Sequence, residues 1–342
     1  MIPLVETGGA PFAIGHDVGR ACRDQLRAAA ASARAELSGL DPVAVEIGPW
    51  LAPTVDHAPW LLEELRGMAE GSGVPFATLF ALNAGAELAQ AAGIFECTVA
   101  AAGPTGSADG HTLLAHNEDT TAGWGDLAYV VRAEPDDAPA FAAFTYAGLL
   151  LHQGVNAAGL GSVGNALYAR DARPGVPKLF QYRRALACRS LEAAVRTVTG
   201  RERAFGNNHL LATADGLVVD VEVSGTDWDI IWAGNRPLAH ANHFAHSRLT
   251  HLDADEDLLN SRLRHARTEQ LLDAAWGTLD PAALRRLMAD HANWPGSVCK
   301  HHAPESDLTY GTIGSVVIDV TARELWACAG NPCRGEWRHV AL

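Results

Sequence analysis

The sequence that decides the fold reads Phe95-Glu-Cys-Thr-Val-Ala-Ala-Ala102, followed after a turn rich in Gly, Pro and Ser by Thr112-Leu-Leu-Ala-His-Asn-Glu-Asp119. Two short runs of this kind, separated by turn residues, are typical of an antiparallel hairpin. Residues 15–73, by contrast, place apolar side chains at helical spacing. The chain therefore changes from helix to strand just before Cys97, which we place at the first position of a strand.

Beyond the hairpin, the pattern continues as blocks of strands and blocks of helices. Strands are predicted at 128–133, 140–146, 149–156, 160–165, 209–213, 218–223, 312–319 and 324–329, and helices at 179–199, 255–276 and 281–290. Such blocks, without strict strand–helix alternation, favour antiparallel sheets with helices on their outer faces. We predict one α+β domain over residues 1–342, built as a four-layer αββα sandwich.

Composition and charge restrict the class of partner. Hydrophobic residues make up 48% of the 342 residues and charged residues 19%, which is enough apolar material for a sizeable core. The formal net charge of −14 disfavours binding to nucleic acid and to anionic lipid. Residues 1–9 lack the pattern of a secretory signal, and no apolar run reaches about 18 residues. We therefore expect a cytoplasmic protein that does not enter a membrane.

Several motifs resemble one enzyme family. Cys97-Thr98, a Gly turn and a strand that ends in His116-Asn-Glu-Asp119 are similar to the pattern of the acyl-coenzyme A:6-aminopenicillanic acid acyltransferase family, and more distantly to that of the bile-salt and penicillin V hydrolases. Further matches follow in order over residues 10–335: Gly154–Asn165, Asn208–Glu222, His240–His243, Ser261–Arg264, Ser297–His301, Thr312–Asp319 and Gly330–Cys333. The chain departs from the family pattern at Glu96, where the family's penicillin-forming enzyme has Gly, and at Glu118, where it has Trp.

The resemblance implies an N-terminal-nucleophile hydrolase, a class of αββα enzymes that cut their own precursor. Cleavage is expected between Glu96 and Cys97, giving a helical segment, residues 1–96, and a catalytic segment, residues 97–342, that remain associated. A free Cys thiol has a pKa of about 8.5 and needs a base at neutral pH. The new α-amino group, with a pKa of about 7.7–8.0, is that base, and it exists only after cleavage.

The same resemblance gives catalytic roles to two further residues. We expect Asp119 to accept a hydrogen bond from the new ammonium group of Cys97 and so to orient it. We expect Asn208 to donate its side-chain N–H to the oxyanion of the tetrahedral intermediate. The predicted catalytic residues are thus Cys97, Asp119 and Asn208.

Other polar residues of the motifs are expected near the substrate. His116 and Asn117 lie where the second strand of the hairpin ends and are predicted to bind the substrate. Asn165 has two interpretations, either a substrate or oxyanion contact or a structural amide at the end of a strand. The Ser261-Arg-Leu-Arg264 motif lies at the start of a predicted helix and is interpreted as solvated ion pairing, with binding of a substrate carboxylate as the alternative.

No metal or other cofactor is expected. His240 with His243, and Cys299 with His301 and His302, lack a recognised zinc spacing with a complete set of ligands. The six cysteines are scattered along the chain, which also argues against a disulfide framework.

These observations favour an autoproteolytically activated cysteine amidase that hydrolyses a small N-acyl or peptide-like amide through an acyl-Cys97 intermediate. The alternative is an acyltransferase that passes the same acyl group to an amine. A relative that never matures, and a papain-like hydrolase that needs no cleavage, are two further hypotheses. The papain-like mechanism is disfavoured because its Cys prefers a helix N-terminus. Intact mass distinguishes a cleaved from an uncleaved chain.

Overall fold

Two β-sheets stacked face to face form the centre of the computed structural model. The structure describes residues 1–36, 47–89, 96–121, 123–150, 153–254, 257–303 and 310–342. One sheet has eight strands in the order β1-β4-β5-β6-β7-β8-β9-β10, and the other has six in the order β11-β2-β3-β12-β13-β14. Adjacent strands in both sheets are antiparallel, except that β1 runs parallel to β4.

The strands of both sheets are short and largely buried. They are β1 (Leu4–Gly9), β2 (Glu96–Ala102), β3 (Leu113–Thr121), β4 (Ala128–Pro135), β5 (Phe141–Tyr146), β6 (Gln153–Asn156), β7 (Leu160–Ala166), β8 (Asn207–Thr213), β9 (Val218–Val223), β10 (Trp228–Trp232), β11 (Leu238–His240), β12 (Tyr310–Asp319), β13 (Glu324–Ala329) and β14 (Arg338–Ala341). Strand β2 lies between β11 and β3, so the predicted hairpin is internal to its sheet.

Helices cover the outer face of each sheet. They are α1 (Pro11–Ala21), α2 (Arg23–Glu36), α3 (Gly48–His57), α4 (Pro59–Ser72), α5 (Phe76–Asn83), α6 (Gly85–Ala89), α7 (Lys178–Leu186), α8 (Leu191–Val198), α9 (Leu259–Ala274) and α10 (Pro281–Met288). Helices α1 and α4 pack with their backbones almost in contact: a Cβ on Gly15 would lie 1.8 Å from the Glu64 carbonyl oxygen. Only glycine permits this approach.

Three apolar clusters separate the layers. One lies between the two sheets and includes Val99, Leu114 and Val163. A second joins α1, α2, α4 and α5 to the eight-stranded sheet, and a third joins α9 and α10 to the six-stranded sheet. The layers therefore follow the order helix, sheet, sheet, helix, and the predicted αββα sandwich is confirmed.

Several details differ from the sequence prediction. The first segment is not helical throughout, because Leu4–Gly9 forms β1 and extends the larger sheet beside β4. Strands β10, β11 and β14 were missed, since they are short or lack clear alternation. Leu149 and Leu150, predicted as strand, precede β6. Phe95 and residues 151–152 and 255–256, which the prediction included, lie outside the described residues. Within the described ranges, no helix has the length and apolar character needed to span a bilayer.

Candidate active site

The β2–β3 hairpin presents two faces with different neighbours. Its register places Cys97 opposite Glu118 and Glu96 opposite Asp119. Because side chains alternate along a strand, each pair lies on one face. We call the side that faces the eight-stranded sheet the inner face, where Cys97 and Glu118 share the row of Val99. The side towards α9 and α10 is the outer face, where Glu96 and Asp119 share the row of Ala100.

The thiol of Cys97 is enclosed on the inner face. Its side chain is 3% exposed, and Sγ donates a hydrogen bond to Glu118 Oε2 over 3.6 Å. The same carboxylate accepts a 3.0 Å hydrogen bond from the Tyr146 hydroxyl and lies 3.0 Å from His116 Nε2. Glu118 thus links the thiol to two further buried polar groups.

A small cavity opens beside the thiol. It is lined by Cys97, Glu118, Ala166, Lys178, Leu179, Tyr182 and Asn207, and has room for about one water molecule. Lys178 and Tyr182 belong to α7, which covers the end of the strands here. The Lys178 ammonium lies over the rings of Tyr168 and Phe205 and brings positive charge to the cavity.

The surroundings of the thiol disfavour its ionisation in the uncleaved chain. Burial raises the pKa of Cys97 well above its usual value, and the nearby carboxylates of Glu118 and Asp119 raise it further. A hydrogen bond from the Ala166 backbone and the charge of Lys178 oppose this rise only in part. The thiol therefore stays protonated until a base accepts its proton.

On the outer face, two cations hold the residue before Cys97. The Glu96 carboxylate accepts hydrogen bonds from Arg264 Nη2, at 3.1 Å, and from Lys300 Nζ. Burial alone raises the pKa of Glu96, but the charges of Arg264 and Lys300 outweigh it and lower the pKa below the usual value. We call Glu96, Arg264 and Lys300 the outer-face clamp.

Side chains from distant parts of the chain also hold the backbone of Cys97. Its N–H donates to Asn242 Oδ1 over 2.9 Å, and its carbonyl oxygen accepts a 2.6 Å hydrogen bond from Arg264 Nη1. Arg264 Nη2 donates to the same Asn242 oxygen over 2.9 Å, and Asn242 Nδ2 donates to the Ala166 carbonyl over 3.0 Å. The position of the Cys97 backbone therefore depends on a connected hydrogen-bond network.

Asp119 and Asn117 lie on the outer face, away from the cavity. Asp119 Oδ1 accepts a 2.6 Å hydrogen bond from Thr312 Oγ1, and burial raises its pKa to about 6. Asn242, rather than Asp119, contacts the Cys97 nitrogen. Asn117 Nδ2 donates to the carbonyls of Met288 and Val298, at 2.8 and 2.9 Å. This amide holds α10 and the following segment to the sheet, and the substrate-binding role of Asn117 stays a prediction.

Three asparagines of β7 and β8 differ in whether they line the cavity beside the Cys97 thiol. Asn165 and Asn208 are paired across the two strands. The Asn208 amide donates to Asp220, and the side-chain amide of Asn165 has no hydrogen-bond partner among the described residues. The neighbouring Asn207 lines the cavity beside Cys97. Its Oδ1 accepts a 3.1 Å hydrogen bond from the Tyr182 hydroxyl.

Sequence reasoning missed the closest partners of Cys97. The interpretation of Arg264 as a solvated ion pair is wrong, because the residue is 1% exposed and bonds to the Cys97 backbone. Glu118 could have been found from strand alternation, since a hairpin register that pairs it with Cys97 places both on one face. Nothing in the local sequence indicates that Asn242 approaches the same residue.

A family profile and a relative from Emericella nidulans both match the chain over most of its length. The family profile described as "AAT: Acyl-coenzyme A:6-aminopenicillanic acid acyl-transferase" matches residues 106–334. The chain is 26% identical over 287 residues to the "Acyl-coenzyme A:6-aminopenicillanic-acid-acyltransferase 40 kDa form" of Emericella nidulans. That alignment covers 80% of this chain and 76% of the relative.

Solved structures with a related arrangement include two amide hydrolases. The Caenorhabditis elegans N-acylethanolamine-hydrolyzing acid amidase ortholog aligns with a TM-score of 0.45 and 14% identity, over 66% of this chain and 93% of its own. The conjugated bile acid hydrolase of Clostridium perfringens aligns with a TM-score of 0.49 and 11% identity, over 72% of this chain and 97% of its own.

Proposed function

The chain belongs to the acyl-coenzyme A:6-aminopenicillanic acid acyltransferase family of enzymes that act on amide bonds, and on that premise we propose that it is a self-processing cysteine amidase. Its substrate is a small N-acyl or peptide-like amide, and the acyl group passes through Cys97. The observation that carries the proposal is the set of hydrogen bonds to Cys97. Distant side chains bind its N–H and its carbonyl oxygen, and its thiol is enclosed beside Glu118.

The first reaction is cleavage of the bond between Glu96 and Cys97. The Cys97 sulfur attacks the Glu96 carbonyl carbon, a C–S bond forms, and the C–N bond breaks as the nitrogen takes up a proton. Glu118 Oε2, which already accepts the thiol hydrogen bond, is the group positioned to accept the thiol proton. Water then hydrolyses the thioester, which leaves a carboxylate on Glu96 and a free thiol and amine on Cys97.

The outer-face clamp supports this step by fixing the acyl side of the bond. Arg264 contacts both Glu96 and the Cys97 carbonyl, so one guanidinium spans the two residues. Holding both reacting residues in one geometry removes much of the entropic cost of reaching the transition state.

After cleavage, the new amine of Cys97 serves as the base. It accepts the thiol proton as sulfur attacks the substrate carbonyl, and it returns the proton to the leaving amine. Asn242 Oδ1, 2.9 Å from this nitrogen, accepts a hydrogen bond from it and sets its orientation. Water completes the cycle by hydrolysing the acyl-Cys97 thioester. Asp119 contributes negative charge on the opposite face of the strand.

For the oxyanion, the cavity favours Asn207 over Asn208. Asn207 lines the space next to the thiol, and Asn208, whose amide donates to Asp220, does not. Asn207 Nδ2 donates to the Asn208 carbonyl over 3.1 Å and lies 3.0 Å from His209 Nε2, so it exchanges one of these contacts for the oxyanion, while Tyr182 fixes its oxygen. We therefore propose Asn207 as the donor, with Asn208 as the alternative.

Acyl transfer to an amine is the second candidate function. It is favoured by the Emericella nidulans relative, which is named as an acyltransferase and with which 80% of this chain aligns. Hydrolysis and transfer share the acyl-Cys97 intermediate and differ in whether water or an amine resolves it.

We also propose that segments 1–96 and 97–342 remain associated after cleavage. Strand β1 from the first segment is hydrogen-bonded to β4 from the second. The apolar cluster between the first helices and the eight-stranded sheet contains residues of both segments. Among them are Leu61 and Leu65 of the first and Phe141 and Ala143 of the second. Burial of this kind favours association without a covalent link.

Intact mass and N-terminal sequencing of purified protein test the proposal. We expect a chain that begins Cys97-Thr-Val and two fragments whose masses sum to that of the whole chain plus one water. Cys97→Ala is the control and should remain uncleaved and inactive, while Cys97→Ser, with a poorer nucleophile, should cleave slowly. Amide hydrolysis by wild-type protein that stays permanently intact, or by Cys97→Ala, would contradict the mechanism.

A further inference from the structure

A cluster of two cysteines and two histidines lies at one end of the six-stranded sheet. His291 follows α10, Cys299 and His301 precede β12, and Cys333 lies in the turn between β13 and β14. One potential ligand atom from each residue lies within 4.8 Å of all the others. We propose that these four side chains bind a zinc ion.

The distances fit a shared ion better than hydrogen bonding. His301 Nε2 lies 3.2 Å from His291 Nε2, 3.5 Å from Cys299 Sγ and 3.4 Å from Cys333 Sγ. A neutral imidazole nitrogen offers either one proton or one lone pair, so it satisfies one of these three contacts at most. Three polar atoms converging on one ring nitrogen therefore need another explanation.

Tetrahedral zinc supplies that explanation. With Zn–S bonds of about 2.3 Å and Zn–N bonds of about 2.0–2.1 Å, neighbouring S and N ligands are separated by about 3.5 Å, and two N ligands by about 3.3 Å. The three contacts of His301 match these edges to within about 0.2 Å, the tolerance used for metal sites. The three distances that meet at His301 are thus those of one coordination tetrahedron, and all four ligand atoms lie within 4.8 Å of one another.

The chemistry of the ligand set selects the metal and its role. Two thiolates with two imidazoles form a soft, tetrahedral set that suits Zn²⁺, and the two negative charges neutralise the ion. Four protein ligands leave no position for water or substrate, so the ion is structural. Asn331 Nδ2 lies 3.7 Å from Cys299 Sγ and is placed to donate to a metal-bound thiolate.

The site has a direct connection to the outer-face clamp. Lys300 stands between Cys299 and His301, and its Nζ contacts Glu96. Asn331 Nδ2 also donates to the Lys300 carbonyl over 2.7 Å. An ion that fixes the residues on both sides of Lys300 therefore positions the ammonium on Glu96.

Residue spacing along the chain does not indicate a complete zinc site. Cys299 and His301 are two residues apart, but the other two ligands lie at 291 and 333, which is not a recognised zinc spacing. The expectation of a cofactor-free protein rested on that missing pattern. The fold supplies the remaining ligands by bringing the turn after β13 beside the segment before β12.

Metal analysis of the full-length protein tests the site directly. Protein expressed with added zinc and passed through a chelating column should retain about one zinc per chain, because structural sites of this type bind tightly at neutral pH. Cys333→Ser should lower the content at least tenfold, and Cys333 lies in an exposed turn, where serine replaces the sulfur by oxygen without emptying a packed site. Cys188→Ser, a cysteine outside the cluster, should retain the wild-type content. Zinc-depleted wild-type protein titrated with Co²⁺ should show thiolate-to-cobalt absorption at one equivalent.

Three outcomes would overturn the proposal. They are wild-type protein without zinc that gives no thiolate-to-cobalt band, equal zinc in Cys333→Ser and wild type, and a Cys299–Cys333 disulfide in peptide mapping under non-reducing conditions. Because metal content is measured without reference to cleavage or turnover, the result is independent of the proposed function.

Discussion

The two faces of the β2–β3 hairpin differ in what surrounds them, although they alternate residue by residue along the same strands. On the inner face, Cys97 meets a carboxylate in an enclosed cavity, and the pKa of its thiol is raised. On the outer face, Glu96 meets two cations, and the pKa of its carboxylate is lowered. Consecutive residues are thus placed in opposite electrostatic environments.

Under the proposed mechanism, this difference separates two tasks at a single peptide bond. One is attack by the thiol, and the other is holding of the acyl group that is attacked. The bond between Glu96 and Cys97 lies where the chain passes from one environment to the other. The inner face keeps the Cys97 thiol neutral and out of bulk water, while the outer face supplies the charges that hold Glu96. Tests that change one face at a time therefore reveal whether the tasks are separate.

The largest expected effect in turnover comes from the inner face. Asn207→Ala should lower the turnover of cleaved protein by about 10²–10³, as expected for one lost oxyanion donor. Asn208→Ala is the matched variant and should have the smaller effect, since Asn208 does not line the cavity beside the thiol. The measurement is turnover of an amide substrate found by screening, with intact mass to score cleavage. A larger loss in Asn208→Ala would return the oxyanion role to that residue.

A change on the outer face should act mainly on maturation. Glu96→Gln removes the negative charge between Arg264 and Lys300 and should slow cleavage about ten- to a hundredfold, because hydrogen bonds to charged groups contribute about 1.5–3 kcal/mol. The rate is followed by gel or intact mass during ageing of the precursor. Glu63→Gln, which alters a surface ion pair, is the control. Cleavage of Glu96→Gln at the wild-type rate would remove the clamp from the mechanism.

The smallest expected effect concerns His209, which contacts the side-chain amide of Asn207. Burial lowers the pKa of His209 to about 3, so the unfolded chain binds a proton below about pH 6.5 that the folded protein does not accept. The contribution of neutral His209 to the free energy of unfolding is therefore present above pH 6.5 and is lost as the pH falls. Between pH 7.5 and 5, wild type should lose up to about 2 kcal/mol more unfolding free energy than His209→Gln.

Urea unfolding of both proteins at the two pH values provides the measurement. All other titrating groups are common to the pair, so their contributions cancel in the difference. Equal losses in wild type and His209→Gln would show that His209 is protonated in the folded protein. That result would also remove its role as an acceptor for the Asn207 amide.

The sequence was most informative where structure is local. The αββα layers, the hairpin and the position of Cys97 at the start of β2 follow from residue patterns within each segment. Strand β1 was missed because its parallel partner begins more than a hundred residues later, at Ala128. A strand with so distant a partner has no turn signal beside it to reveal the pairing.

The surroundings of Cys97 were harder to predict for a related reason. The motif gave Asp119 and Asn117, but a shift of one residue along a strand changes the face, and both side chains lie on the outer face. Glu118, between them, reaches the thiol. Asn242 and Arg264 enter from other elements, and their approach depends on how the layers pack.

The long range of these contacts also sets an order of events during synthesis. Cys97 leaves the ribosome well before the residues that hold it, which lie 145 residues further along the chain for Asn242 and 167 for Arg264. Lys300 follows Glu96 by 204 residues. Contacts of such separation form late, after long loops have closed. An incomplete chain therefore carries Cys97 without these partners, and under the proposed mechanism truncated products of translation remain uncut.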